Sequence, residues 1–195
     1  MSEVAPRPRI GRRFFEDLYA RSDDPWDFAT SDYEREKYAD TLAALGAERF
    51  ARGLEVGCSI GVFTDQLAGV CDELVAIDVS ELALERARAR VAGRRGVSLV
   101  HMTFPEEMPE GRFDLVVCSE VLYYLDDAAF THAIERLRAM LESGATVLAV
   151  HWRPATSSYP LGGDEVHDRL RAELGEWHAF DGRRPRYRLD RFEAR

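Results

Sequence analysis

Four stretches of the chain combine residue types and spacing that could do chemistry. The first is Leu54-Glu55-Val56-Gly57-Cys58-Ser59-Ile60-Gly61, where a short apolar run gives way to a helical pattern. Glycines at such a turn let the main chain bend sharply and let a ligand approach with no Cβ in the way. Gly57 and Gly61 are separated by three residues, which departs from G-x-G-x-x-G, and the neighbouring Glu55 makes the loop a poor host for a diphosphate. The second is Asp78, which ends Val75-Ala76-Ile77-Asp78 and follows Gly61 by 17 residues. A carboxylate there accepts two hydrogen bonds from a ribose diol. The third is Ser119-Glu120 and the fourth His151-Trp152, each closing an apolar run. Glu120 is the first candidate to orient a protonated amine or accept its proton, and His151 is the second because imidazole ordinarily titrates near neutrality. Each also has a plainer reading, Glu120 as a cap and His151 as a hydrogen-bonded strand end.

A ligand with ribose hydroxyls and no phosphate points to S-adenosylmethionine. The loop from Gly57 to Gly61, with Glu55, Cys58 and Ser59, would hold its methionine part, Asp78 the ribose, and Val79 the adenine face. Lys37 is the one lysine beside 25 arginines, which suggests a compact ammonium near the methionyl carboxylate, or simply an i,i+3 pair with Glu34. Cys58, Cys71 and Cys118 are too irregularly spaced for a disulfide framework or a zinc site, and the histidines share no metal-ligand spacing, so no metal is expected. Cys58 and Cys118 read as buried small hydrophobes.

These residues need elements to position them. From Phe50 onward, apolar runs at Leu54–Val56, Leu74–Val79, Val97–Met102, Phe113–Cys118 and Ala145–Trp152 alternate with helical patterns at Val62–Val70, Glu81–Val91 and Asp127–Ser143, the last stopped by Gly144. Parallel neighbours need crossovers, so the alternation predicts a doubly wound, Rossmann-like α/β sheet. A helix over Gly163–Leu174 and two runs, Trp177–Asp181 and Tyr187–Phe192, add a C-terminal antiparallel hairpin. The first 49 residues hold no strand pattern but two helical ones, Ile10–Arg21 and Asp32–Leu45, the second opened by a capping box at Ser31 and Glu34. They read as a helical lid, carrying Trp26 and Tyr33 over the cofactor. The expectation is one domain over residues 1–195, with residues 1–49 as lid and 50–195 as cofactor-binding core.

At 195 residues with 46% hydrophobic content, the chain can bury a real core. Its net charge of −9 disfavours nucleic acid as a partner, and the arginine clusters at Arg7–Arg13 and Arg183–Arg191 read as solvated termini. Residues Met1–Arg13 lack the apolar region of a secretion signal, and no run reaches membrane-spanning length. The expectation is a cytoplasmic monomer or homodimer with no membrane partner.

The Glu55–Gly61 loop, Asp78, Phe113-Asp114-Leu115-Val116-Val117, the Gly144 turn and the terminal hairpin together resemble the class I S-adenosylmethionine-dependent methyltransferases. Asp24-Pro25-Trp26 with Tyr33-Glu34, Ser119 to Leu125, His151-Trp152-Arg153, and Tyr159-Pro160-Leu161 leading to His167 narrow the likeness to the nodulation protein S type. Proteins of that type N-methylate a deacylated amino sugar of a chitin oligosaccharide. The resemblance implies methyl transfer to a small-molecule acceptor, with Tyr123, Tyr124, Trp152 and His167 along the acceptor wall and Ser119 at the cofactor. Thr103 stands where family members often place an acidic residue near the adenine amino group, so the backbone beside Met102 would serve instead. An O-methyltransferase, or a non-catalytic protein that binds the cofactor or its demethylated product, remains compatible with the same motifs.

Overall fold

The structure, a computed structural model, describes residues 7–195. The first six residues of the expected lid lie outside the described residues. Two helices, α1 (Arg12–Arg21) and α2 (Asp32–Leu45), precede the sheet. There follow β1 (Phe50–Val56), α3 (Val62–Leu67), β2 (Cys71–Asp78), α4 (Glu81–Arg90), β3 (Val97–His101), β4 (Phe113–Ser119), α5 (Asp127–Met140), β5 (Leu141–Trp152), α6 (Gly163–Leu174), β6 (His178–Arg183) and β7 (Tyr187–Glu193). The seven strands run in the order β3-β2-β1-β4-β5-β7-β6. β1 to β5 are mutually parallel, and β7 lies antiparallel between β5 and β6. This is the doubly wound sheet with a C-terminal hairpin that the alternation predicts.

Both faces of the sheet are covered, which is why its strands read as continuous apolar runs. In β4, Val116 and Cys118 pack with Phe130, Ile134 and Leu137 of α5 and with Val166 and Leu170 of α6. Leu115 and Val117 belong to the opposite cluster, with Tyr38 and Leu45 of α2 and Phe63 and Leu67 of α3. β2 and β4 flank β1, so the strand order reverses there and a crevice opens at the carboxyl ends of the strands.

Several details differ from expectation: α1 begins at Arg12 instead of Ile10, α3 ends at Leu67 instead of Val70, and β5 begins at Leu141 instead of Ala145. α5 ends at Met140 instead of Ser143, because Leu141 pairs with Phe113 of β4 and its carbonyl accepts from Arg112. Sheet pairing thus overrides helical periodicity. Gly144, at φ +81°, lies inside β5 and donates its N–H to the Ala194 carbonyl. The box at the start of α2 is only half formed. Ser31 Oγ accepts from the Glu34 N–H at 3.4 Å, while the Glu34 side chain turns to Lys37.

The N-terminal segment folds across the crevice. Ile10 N–H donates to the Tyr124 carbonyl at 2.9 Å, and Glu16 of α1 accepts from the N–H of Glu81 at the start of α4. Tyr19 packs with Ile60 and Ala83, and Trp26 and Phe28 stack at 5.4 Å. Among the described residues, no helix is long and apolar enough to cross a membrane.

Candidate active site

A cavity of about 430 Å³ lies at the carboxyl ends of the strands, with residues of the N-terminal segment on its outer wall. Its inner edge is the turn after β1. Gly57 has φ +77°, and a Cβ there would meet Val121 at 3.2 Å, so the residue before the cradle must be glycine. Ser59 also has positive φ, +51°, and its N–H donates to Asp78 Oδ2 at 2.8 Å. Asp78 Oδ1 accepts from Ser80 N–H at 2.9 Å, so the carboxylate is fixed by the main chain and keeps lone pairs to offer a diol. Burial pushes its pKa up to about 6, against the pull of the Ser80 and Ser59 amides.

Glu55 points into the same cavity and accepts from Thr64 Oγ1 at 2.6 Å. Burial raises its pKa to about 8 in spite of that hydrogen bond, with the charge of Asp78 adding to the rise. At neutral pH it is a carboxylic acid, able to donate one hydrogen bond and accept others.

The opposite wall is built around Glu120. It follows β4 at φ +55°, a left-handed conformation uncommon outside glycine, held by its own N–H to the Val150 carbonyl at 2.8 Å. Oε1 accepts from Lys37 Nζ at 2.7 Å, and Oε2 accepts from Tyr123 OH at 2.7 Å and Trp152 N–H at 2.9 Å. Three donors from three elements therefore fix the carboxylate. Lys37, 2% exposed, also pairs with Glu34 at 2.8 Å. Burial alone would lower the Lys37 pKa, but the charges of Glu120 and Glu34 outweigh it and raise it. Both partners of Lys37 are thus side chains of this chain, including the i,i+3 pair that its spacing suggests.

Most of the residues singled out in the sequence meet here. Trp26, Tyr33, Lys37, Glu55, Gly57, Cys58, Ser59, Asp78, Val79, Met102, Thr103, Ser119, Glu120, Tyr123, Tyr124 and Trp152 all line the cavity. Three do not. Gly61 caps α3, and a Cβ there would meet Ala87 of α4 at 3.0 Å, so it is a packing glycine. His151 is fully buried behind the wall, and both ring nitrogens are in use. Nε2 accepts from Leu122 N–H at 3.1 Å, and Nδ1 faces His167 Nε2 at 3.2 Å. Burial holds its pKa well below the usual imidazole value, and its ring does not line the cavity, which counts against the expected role as base. His167 is buried too, with Nδ1 at 2.8 Å from Asp190 Oδ2, and it does not form part of the acceptor wall. The amides of Met102 and Thr103 already donate to the Asp78 carbonyl and to Glu107, so neither is free for a base.

Sequence reasoning missed several lining residues. Glu34, expected as a cap and as the i,i+3 partner of Lys37, makes that pair and also lines the cavity. Arg186 was read as part of a solvated end. Tyr19, whose hydroxyl meets Ser59 Oγ, carried no signal, because only the folding of α1 over α4 brings it there.

Residues 14–156 match the family model described as Nodulation protein S (NodS). The chain belongs to that family. It is 39% identical over 128 residues to nodulation protein S of Bradyrhizobium diazoefficiens, covering 65% of this chain and 61% of that protein. It is also 39% identical over 125 residues to nodulation protein S of Rhizobium tropici, covering 63% of this chain and 52% of that protein. The matched region is therefore less than two thirds of the length of these NodS relatives. Among solved structures, N-methyltransferase NodS from Bradyrhizobium japonicum, in complex with S-adenosyl-L-homocysteine, superposes with a TM-score of 0.82 at 28% identity, covering 95% of this chain and 99% of that one.

Proposed function

We propose that this chain is an S-adenosylmethionine-dependent N-methyltransferase whose acceptor is the amine of a small molecule, an amino sugar in first place. Family membership and the solved NodS complex support the enzyme class and the cofactor. The observation that carries the choice of nitrogen is Glu120, a carboxylate fixed by three donors on the wall facing the Gly57–Ser59 turn.

The cavity residues fit the cofactor by their chemistry. Asp78 has lone pairs left for ribose hydroxyls, Glu55 offers a neutral acid to the methionine part, and glycine at position 57 allows the positive φ of the turn with no Cβ against Val121. When bound, S-adenosylmethionine supplies an electrophilic methyl on a cationic sulfur. The protein then has to hold an acceptor nitrogen in line, keep water away, and deal with one proton. Most alkyl amines are protonated at neutral pH and attack only when a lone pair is free. Glu120 can hydrogen-bond the ammonium, orient it and accept the proton that leaves. The rings of Tyr33, Tyr123, Tyr124, Tyr159 and Trp152 exclude water and offer flat faces to the apolar side of a sugar.

The test is transfer of labelled methyl from S-adenosylmethionine to a panel of amino sugars, simple amines and the matching hydroxyl compounds. Amino sugars are expected to be methylated at nitrogen. Product from hydroxyl acceptors alone would reverse the choice of atom, and tight cofactor binding with no product from any acceptor would leave a binding protein.

A further inference from the structure

Three arginines line the cavity, Arg9, Arg12 and Arg186, and the last of these belongs to the C-terminal arginine cluster. In the C-terminal cluster, Arg183 pairs with Asp164, Arg184 with Asp40, Arg188 with Asp168, and Arg191 with Glu48 and Glu193. Arg9 and Arg12, on the cavity wall, pair with Glu106 and Glu16. Arg186 is the exception. It lines the cavity, is exposed, and has no ion-pair or side-chain hydrogen-bond partner among the described residues.

Its position is nevertheless built. The guanidinium carbon sits 3.7 Å from the centre of the Tyr33 ring and 5.9 Å from that of Trp152. The two rings meet edge to face at 5.6 Å. Stacking on a ring leaves the edge of a guanidinium, with its fork of N–H donors, free for a planar or tetrahedral anion. The same Tyr33 has a buried hydroxyl with no partner, and Lys37 Nζ lies 5.3 Å from its ring centre. Since Lys37 holds Glu120 at 2.7 Å, one tyrosine separates the carboxylate that faces an amine from a guanidinium that faces an unclaimed anion. The two ends fit within one small molecule.

We propose that Arg186 recognises an acidic group on the acceptor, so that the acceptor is a small amine that also bears a phosphate or a carboxylate. This rests on the N-methyltransferase reading above. The amine end is held by Glu120 and the acid end by the Arg186 fork, with the Tyr33 hydroxyl available between them. A charge-assisted hydrogen bond of this kind strengthens binding by about ten- to a hundredfold over the same molecule without the acid.

The experiment is calorimetric titration of the full chain, with and without saturating S-adenosylhomocysteine, using glucosamine, glucosamine 6-phosphate, 2-amino-2-deoxyglucuronate and inorganic phosphate as probes. At least one acid-bearing sugar is expected to bind about tenfold or more tighter than glucosamine. The phosphate and carboxylate arms tell which acid is preferred. In R186Q the ratio is expected to fall towards one, with R186K keeping part of it. If Arg186 only latched Tyr33 to the hairpin, R186Q would weaken all the sugars alike and leave the ratio intact, which would overturn the proposal. So would acid-bearing sugars that bind no tighter than glucosamine in the unaltered protein, undetectable binding of every probe included. Failure of the methyltransferase reading is separate, since it shows as no S-adenosylhomocysteine binding and no methylated product from any amine.

Discussion

Replacing Glu55 with glutamine removes a buried acid while keeping its size and its place beside Thr64. In the folded protein the carboxyl has a pKa of about 8, raised from 4.5 chiefly by burial. The unfolded chain therefore gives up this proton near pH 4.5, while the folded chain keeps it until about pH 8. Between those values the folded state binds more protons, so stability falls as pH rises. The window of about 3.5 pH units corresponds to about 5 kcal/mol lost from acid to alkaline solution. E55Q has no such proton to lose. The two proteins should be alike near pH 4.5 and diverge above it, with the variant more stable at pH 9. For a chain of this length that is a gap in Tm on the order of 10 °C or more. The assay is thermal unfolding followed by circular dichroism across pH 5–9, in buffers matched for ionic strength. Asp78 has a raised pKa of its own and its charge adds to the rise at Glu55, so the difference between the two curves reports Glu55 together with that coupling. Curves that stay parallel over the whole range would show that Glu55 is not a neutral acid in this cavity.

E120Q is expected to lower single-turnover methyl transfer by about 10²–10⁴-fold while S-adenosylhomocysteine affinity stays within twofold, and unchanged turnover would remove Glu120 from the reaction. K37M leaves the buried Glu34 and the part-buried Glu120 side by side without their cation, at a cost of about 3 kcal/mol in urea unfolding; adding E34Q should recover part of that, and a neutral K37M would refute the pairing. D190N should be destabilising at neutral pH. Burial alone would raise the Asp190 pKa, but hydrogen bonds from His167 and Arg171 outweigh it and hold it below the usual carboxylate value. Its stabilisation is thus present above about pH 4 and fades as the solution is made more acid, so wild type and D190N should converge in thermal melts taken towards pH 2.

The sheet was legible because its strands are buried on both faces and its helices on one, which writes two different periods into the sequence. The cofactor half was legible for a related reason. Gly57 and Asp78 lie at strand ends, where a local pattern fixes position and backbone geometry fixes residue type. The facing wall was legible only in part, at Lys37 and at the strand-end residues Glu120 and Trp152 with the tyrosines beside them, because it is assembled from segments far apart in the chain. Glu34 and Lys37 on α2, Glu120 after β4 and Arg186 in the hairpin turn become neighbours only through tertiary packing. His151 misled for the opposite reason. It occupies the right strand end, but its ring lies on the far side of the wall, and alternation along a strand decides that face without leaving a local sign of which one is wet.

The histidine behind the wall still bears on the chemistry. Because Leu122 N–H donates to His151 Nε2, the His151 proton must sit on Nδ1 and point at His167 Nε2, which puts the His167 proton on Nδ1 towards Asp190. One tautomer of each ring satisfies every group in the line. The line starts at the Leu122 amide, next to Tyr123, whose hydroxyl holds Glu120, and ends at Asp190 on β7, where Arg171 of α6 also binds. The conformation of the turn that carries Tyr123 is therefore fixed from behind by the C-terminal hairpin and α6. The cofactor cradle, by contrast, is fixed by β1, β2 and α4 on the other side of the switch point. The two sides meet at Gly57, where a Cβ would strike Val121 at 3.2 Å, so the turn that carries Tyr123 also borders the Gly57 turn.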